Sequence, residues 1–193
     1  EAPRGTGERD YAFLYVRSGL DDRPLPRVFP AIAVDTTAIN PERLSRQVRA
    51  AGYPAEGISS SDLTHHLSPK EAATTIAELY TFGSNQADVI PIRGSAIGQH
   101  GSSGGPVVNE YGNVIGLVTT RGDEELDGVG SLRAITLPYI DRTMSEETGY
   151  SIGENLTGDL AYRAALFKSS LTPFLSLWLE SELSASAGAS DIN

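Results

Sequence analysis

The hexapeptide Gly101-Ser102-Ser103-Gly104-Gly105-Pro106, leading directly into a Val/Ile-rich hairpin, most constrains the fold of this chain. Glycine permits backbone angles that a side chain forbids. Such a turn can aim several N–H groups at one point while a serine hydroxyl stands clear. A flexible Gly/Ser linker has the same composition, but the residues after Pro106 argue against one. Val107-Val108-Asn109-Glu110-Tyr111-Gly112-Asn113-Val114-Ile115-Gly116-Leu117-Val118-Thr119-Thr120 reads as strand, turn, strand, with Val/Ile runs on either side of an Asn/Gly turn.

A serine hydroxyl beside converging N–H donors is the arrangement that stabilises the tetrahedral intermediate of acyl transfer. On this Gly-x-Ser-Gly-Gly-Pro run the chain resembles the trypsin-like (chymotrypsin-fold) serine peptidases, nearest to the bacterial HtrA/Deg-type and related cysteine-free branch. The resemblance implies Ser103 as nucleophile and the N–H groups of Gly101 and Ser103 as oxyanion donors. It also implies an Asp that orients a catalytic His. Asp10-Tyr11-Ala12-Phe13-Leu14-Tyr15-Val16 is similar to the family's Asp-hydrophobic-Ala-x-Leu-x-hydrophobic strand. The alternating Ala12, Leu14 and Val16 predict a half-buried strand with Asp10 at its mouth. An ordinary Asp opening a strand has the same pattern; Ser103 downstream favours the catalytic role. Glu8 and Asp21 do not directly precede such a strand.

In the family the triad runs His, Asp, Ser along the chain. The nine residues before Asp10 contain no histidine, and His65, His66 and His100 all come after it. His65 and His66 sit in a polar stretch that reads as surface loop or short helix, and His100 lies three residues before Ser103. All three read as solvated loop histidines, and no second cluster supports a metal site. The expectation is a C-terminal part of a longer protease, inactive alone, with its catalytic His upstream. No cofactor is implied.

Net charge is −10 and the sequence pI is near 4.7, which excludes a basic stripe for nucleic acid. The absence of cysteine excludes disulfides and thiolate metal sites. Many secreted animal members of the family carry disulfides, so the resemblance leans to a bacterial branch and to an extracytoplasmic or secreted setting. No apolar run reaches the length of a membrane span.

The chain divides into three zones. Residues 1–33 hold the Asp10 strand, which closes the first barrel in the family, and then a linker with Pro24, Pro26 and Pro30. Residues 34–144 are expected to form the second antiparallel β-barrel of a chymotrypsin-like double-barrel fold. Its strand candidates are Arg46–Pro54, ending in the family-like Gly-Tyr-Pro, then Thr74–Phe82, Asp88–Ile92, the Val107–Thr120 hairpin and Val129–Pro138. Tyr139–Met144 should begin a helix, and Ala55–Lys70 reads as an insertion. Residues 145–193 read as a helical extension, with Leu160, Ala164, Leu171, Leu175 and Trp178 at roughly helical spacing. The low-complexity end from Ser184 predicts a disordered tail. Nothing there resembles the PDZ domain that comes after the protease in HtrA proteins.

By resemblance, Ile97 floors the pocket for the substrate side chain before the scissile bond, and Thr119, Thr120 and Arg121 form its wall. Isoleucine brings bulk and no charge, so a small or medium apolar side chain should fit best; Arg121 could instead favour an acidic one. Two functions compete: an endopeptidase acting on polypeptide through an acyl-enzyme on Ser103, and a non-catalytic, pseudoprotease-type binding or scaffold module. The intact Asp10 and Ser103 motifs favour the enzyme, because a module without chemistry has no physical need of them.

Overall fold

The computed structural model describes residues 7–55, 58–59, 68–94, 97–98, 100–122 and 131–190, with backbone alone for Leu20 and residues 185–190. The chain divides into two compact units, one of Glu1–Ala12 with Val28–Ile152, the other of Phe13–Arg27 with Gly153–Asn193.

The first unit is an antiparallel six-stranded half-barrel. Its strands are β1 (Gln47–Gly52), β2 (Lys70–Thr75), β3 (Val89–Ile92), β4 (Pro106–Asn109), β5 (Val114–Arg121) and β6 (Leu132–Thr136). They run in the order β2-β1-β4-β5-β6-β3. The two edge strands are brought together where the chain leaving β2 forms a single antiparallel bridge, Tyr80↔Val89. This is the second barrel that the sequence predicts. Pro91 fits β3 because an edge strand has one side on which no N–H is needed.

Alternation explains β1, where Val48, Ala50 and Gly52 face inward and Gln47 and Arg49 outward. Inside the curved sheet Val48, Ala50, Ile76, Ile90, Ile92, Ile97, Val107, Ile115, Val118 and Leu132 form the larger core. A second core lies against helix α1 (Leu137–Thr148) and unites Val89, Val114, Ile135, Leu137, Tyr139, Ile140 and Met144. The hairpin β4–β5 turns as its Asn/Gly content predicts. The Asn109 Oδ1 accepts the N–H groups of Tyr111 and Asn113, both at 3.0 Å. Helix α1 starts two residues before the expected Tyr139, because Thr136 caps it. Its Oγ1 accepts the Tyr139 N–H at 3.2 Å and donates to the Ala87 carbonyl at 2.8 Å. Gly149, with φ +78°, ends it.

One buried charge ties the α1 core together. Asp88 is fully buried and accepts from the Arg142 guanidinium at 2.5 Å, the Ser84 hydroxyl at 2.7 Å, the Phe82 N–H at 2.7 Å and the Thr81 hydroxyl at 3.0 Å. Burial pushes its carboxyl up, but these four donors outweigh it and hold the carboxyl below its ordinary value.

Several sequence expectations need correction. Asp10–Val16 forms no strand; it lacks ladder partners, and Phe13, Leu14, Tyr15 and Val16 are exposed. The expected strand Thr74–Phe82 stops at Thr75, after which the backbone serves two different strands. Ile76 bonds Arg46 and Ser45 beside β1, and Tyr80 bonds Val89. The last barrel strand is Leu132–Thr136, shorter than Val129–Pro138, whose first residues lie outside the described ones. Most of the insertion Ala55–Lys70 lies there too, and its last residue already belongs to β2.

In the second unit, α2 (Ile152–Asn155, beginning at the unit boundary) precedes a long helix α3 (Leu160–Ser190). The Asp159 Oδ1 accepts the Tyr162 N–H at 2.9 Å at its start. The helix continues through Ser184–Ser190, where low complexity predicts disorder, since alanine there keeps helix propensity high. No helix among the described residues is long and apolar enough to cross a membrane.

Candidate active site

The turn before β4 is held by contacts that only glycine allows. Gly101 has φ +95°, and a Cβ there would lie 2.5 Å from the Tyr53 carbonyl oxygen. At Gly105 the Cβ would lie 2.0 Å from the Ala51 carbonyl oxygen, so the turn presses directly on β1. Hydrogen bonds strap it to β5. The Gly104 N–H donates to the Val118 carbonyl at 2.7 Å, and the Val118 N–H donates to the Gly105 carbonyl at 2.8 Å.

This packing gives two adjacent serines opposite environments. Ser102 is buried, donates its hydroxyl to the Ile97 carbonyl at 2.7 Å and packs against Gly52. Ser103 is exposed, with its Oγ donating to the Thr119 carbonyl at 3.2 Å. Among the described residues, the N–H groups of Gly101 and Ser103 have no acceptor. The neighbouring Gly104 N–H is committed to β5, and the Gly105 N–H donates to the Ser102 carbonyl at 3.0 Å.

Thr119 sits at a β-bulge. Val118 pairs with Ala134 and Thr120 with Arg133, leaving Thr119 as the extra residue on β5. Its carbonyl meets Ser103, and its hydroxyl donates to the Arg133 carbonyl at 3.3 Å. Gly7 packs on the same side chain, since a Cβ there would lie 2.8 Å from the Thr119 Oγ1. The Asp10 N–H donates to the Gly7 carbonyl at 3.3 Å. This segment is pinned to α1 by the Arg9 N–H on the Tyr139 hydroxyl at 3.0 Å and by a Tyr11–Thr143 hydroxyl pair at 2.8 Å. Burial and the charge of Glu8 raise the Tyr139 hydroxyl above its ordinary pKa, against the pull of Arg9. Asp10 therefore lies, within one turn of chain, after a residue that touches the neighbour of Ser103. Its carboxylate is exposed and has no hydrogen-bond partner among the described residues.

The other expected positions are distributed differently. Ile97 is fully buried in the larger core, and its carbonyl meets the turn by accepting the Ser102 hydroxyl. Thr120 is half-buried and Arg121 exposed at the end of β5. A groove of about 390 Å³ runs beside Ser103, lined by Ala51, Gly52, Tyr53, Pro69 and the Gly101–Pro106 turn. Sequence reasoning misses Tyr53 and Pro69 as lining residues. The Gly-Tyr-Pro end of β1 is the signal, because it places an aromatic side chain opposite the turn. His100 is exposed, and its carbonyl accepts the Ala55 N–H at 2.8 Å; its ring has no hydrogen-bond partner among the described residues. His65 and His66 lie outside the described residues. Among the described residues no cluster of His, Asp or Glu could hold a metal ion.

The geometry is that of a solvent-facing hydroxyl on a tightly packed glycine turn, with the Gly101 and Ser103 N–H groups unclaimed among the described residues and a groove alongside. No curated protein matches the chain. A sequence-family model described as trypsin-like peptidase domain matches residues 2–117, which takes in the Asp10 segment, β1–β4 and the Ser103 turn. The chain belongs to the trypsin-like peptidase domain family.

Proposed function

We propose that this chain is the nucleophile-bearing part of a serine endopeptidase that cleaves polypeptide through an acyl-enzyme on Ser103. The observation that carries the reading is an exposed hydroxyl at the mouth of a groove, on a turn whose Gly101 and Ser103 N–H groups have no acceptor among the described residues. They would receive the oxyanion as the carbonyl carbon becomes tetrahedral, a role worth about 10²–10³ in turnover per donor. Asp10 would hold the general base in the correct tautomer. That base is a histidine contributed from outside these residues, since the family order puts it before the Asp. In this reading the chain's kinship is with the bacterial HtrA/Deg-type, cysteine-free branch.

A polypeptide would lie along the groove between Tyr53 and the turn. Thr119, Thr120 and Arg121 would edge the pocket, and Ile97 would support it from beneath through the Ser102–Ile97 hydrogen bond. One observation favours the second reading, a non-catalytic binding module: the Ser103 proton is directed at the Thr119 carbonyl, which is no base.

A fluorophosphonate probe separates the two. The full-length parent should label at Ser103, labelling should vanish in Ser103→Ala, and Asp10→Asn should slow it strongly. These residues alone should label slowly or not at all, because general-base assistance is worth about 10²–10⁴-fold. A parent that resists labelling while folded would decide for the binding module. Rapid labelling of this chain alone would make His65, His66 or His100 the base.

A further inference from the structure

Helix α3 carries an apolar seam that the structure leaves exposed. Leu160, Ala164, Phe167, Leu171, Phe174 and Trp178 recur at alternating steps of four and three, the a/d spacing of a coiled-coil seam. Phe167 is 52 %, Leu171 48 %, Phe174 66 % and Trp178 57 % exposed. With Ala164, Leu171 and Trp178 as a positions, Lys168, Leu175 and Glu182 fall at e, and Arg163 and Leu177 at g. Pro173 falls at c, off the seam, so its missing N–H does not interrupt the apolar contact.

The charges choose both the partner and the direction. In an antiparallel pair, e positions face e positions. With Leu171 of one helix beside Phe174 of the other, Phe167 meets Trp178, the two Leu175 residues meet near the centre, and Lys168 faces Glu182 at both ends. The charge pairs select this register over one shifted by a heptad, which matches Leu160 with Trp178, Ala164 with Phe174 and Phe167 with Leu171 but sets Lys168 against Leu175. A parallel, in-register pair would instead set Arg163 against Lys168. Among the described residues neither Lys168 nor Glu182 has an ion-pair partner within the chain. We infer that α3 is the interface of an antiparallel homodimer, in which the seam of one copy packs on that of a second and Lys168 pairs with the second copy's Glu182.

The experiment is sedimentation velocity on the whole chain over a concentration series. A dimer is expected, and Trp178→Glu should return it to monomer with unchanged far-UV circular dichroism. Phe167→Asp, at the facing layer, serves as an independent second variant. Lys168→Glu and Glu182→Lys should each weaken the dimer about tenfold, since each turns two attractive pairs into two repulsive ones. Mixing these two single variants should give a heterodimer as strong as the wild type, because both pairs are then opposite in sign, and the double variant should self-associate normally. Recovery on mixing is particular to the antiparallel arrangement. A chain monomeric throughout, or single variants that dimerise unchanged, would overturn the proposal. So would a monomer that co-sediments with anionic lipid vesicles through the same seam, which would assign the face to a membrane surface.

Discussion

The half-barrel and the long helix are built from similar apolar side chains used in opposite ways. In the half-barrel Ile90, Ile92, Ile97 and Ile135 are wholly buried, whereas in α3 Leu166, Leu177 and Trp178 are more than half exposed. The first region holds its shape by removing apolar surface from water. The second is built on helix propensity and hydrogen bonds between near neighbours, with much of its apolar surface still in water. The comparison teaches that hydrophobicity alone does not make a core; a second surface of matching shape has to be within reach of the same chain.

The largest effect should come from the barrel interior. Ile90→Ala removes a side chain with no exposed surface and should cost about 4 kcal/mol, read from urea unfolding monitored by far-UV circular dichroism. A loss below about 1 kcal/mol would mean that the barrel collapses around the gap and is not the rigid member of the pair. Asp88→Asn should come next at about 3 kcal/mol, because it strips the partner from a mostly covered Arg142.

The same carboxylate sets an acid limit. Its folded pKa lies below the unfolded value, so the protonated form is disfavoured in the folded state. Its stabilisation is complete above the unfolded pKa, near 3.9, and is lost as pH falls through the lower folded value. Wild-type stability should therefore decline on acidification below about pH 4, and Asp88→Asn should flatten that decline. An unchanged acid limb in the variant would count against the assignment. Thr136→Ala removes the cap of α1 and the bond to Ala87 and should cost about 1–2 kcal/mol. Smallest of all, Leu166→Ala on α3 should change unfolding by no more than about 0.5 kcal/mol, since that side chain is 53 % exposed and off the seam. A large loss there would erase the contrast between the regions.

Local patterns were legible where they needed only near neighbours. The glycine turn, the Asn109–Asn113 hairpin and the alternation of β1 could be read directly, because each is specified by φ preferences and period over a few residues. Asp10–Val16 has the same alternation, yet stays out of any sheet. Alternation says which side of a strand would be apolar and cannot supply the neighbouring strand. Thr74–Phe82 failed for a related reason, since a uniform β-pattern does not show where a chain leaves one partner for another.

Sequence alone was enough to place Ser103 in a glycine-rich turn, to expect an antiparallel barrel over the residues around it, and to find apolar residues at roughly helical spacing between Leu160 and Trp178. The packing of the folded chain settled which of two adjacent serines faces solvent. Ser102 is taken by the Ile97 carbonyl and the space over Gly52, and Ser103 is left outside. It likewise decided that Asp88 meets Arg142 and that Gly7 lies on Thr119, contacts between residues 54 and 112 positions apart. Such pairings come from the barrel's closure and from a bulge that adds one residue to β5. Both depend on distant parts of the chain meeting, which no local pattern encodes.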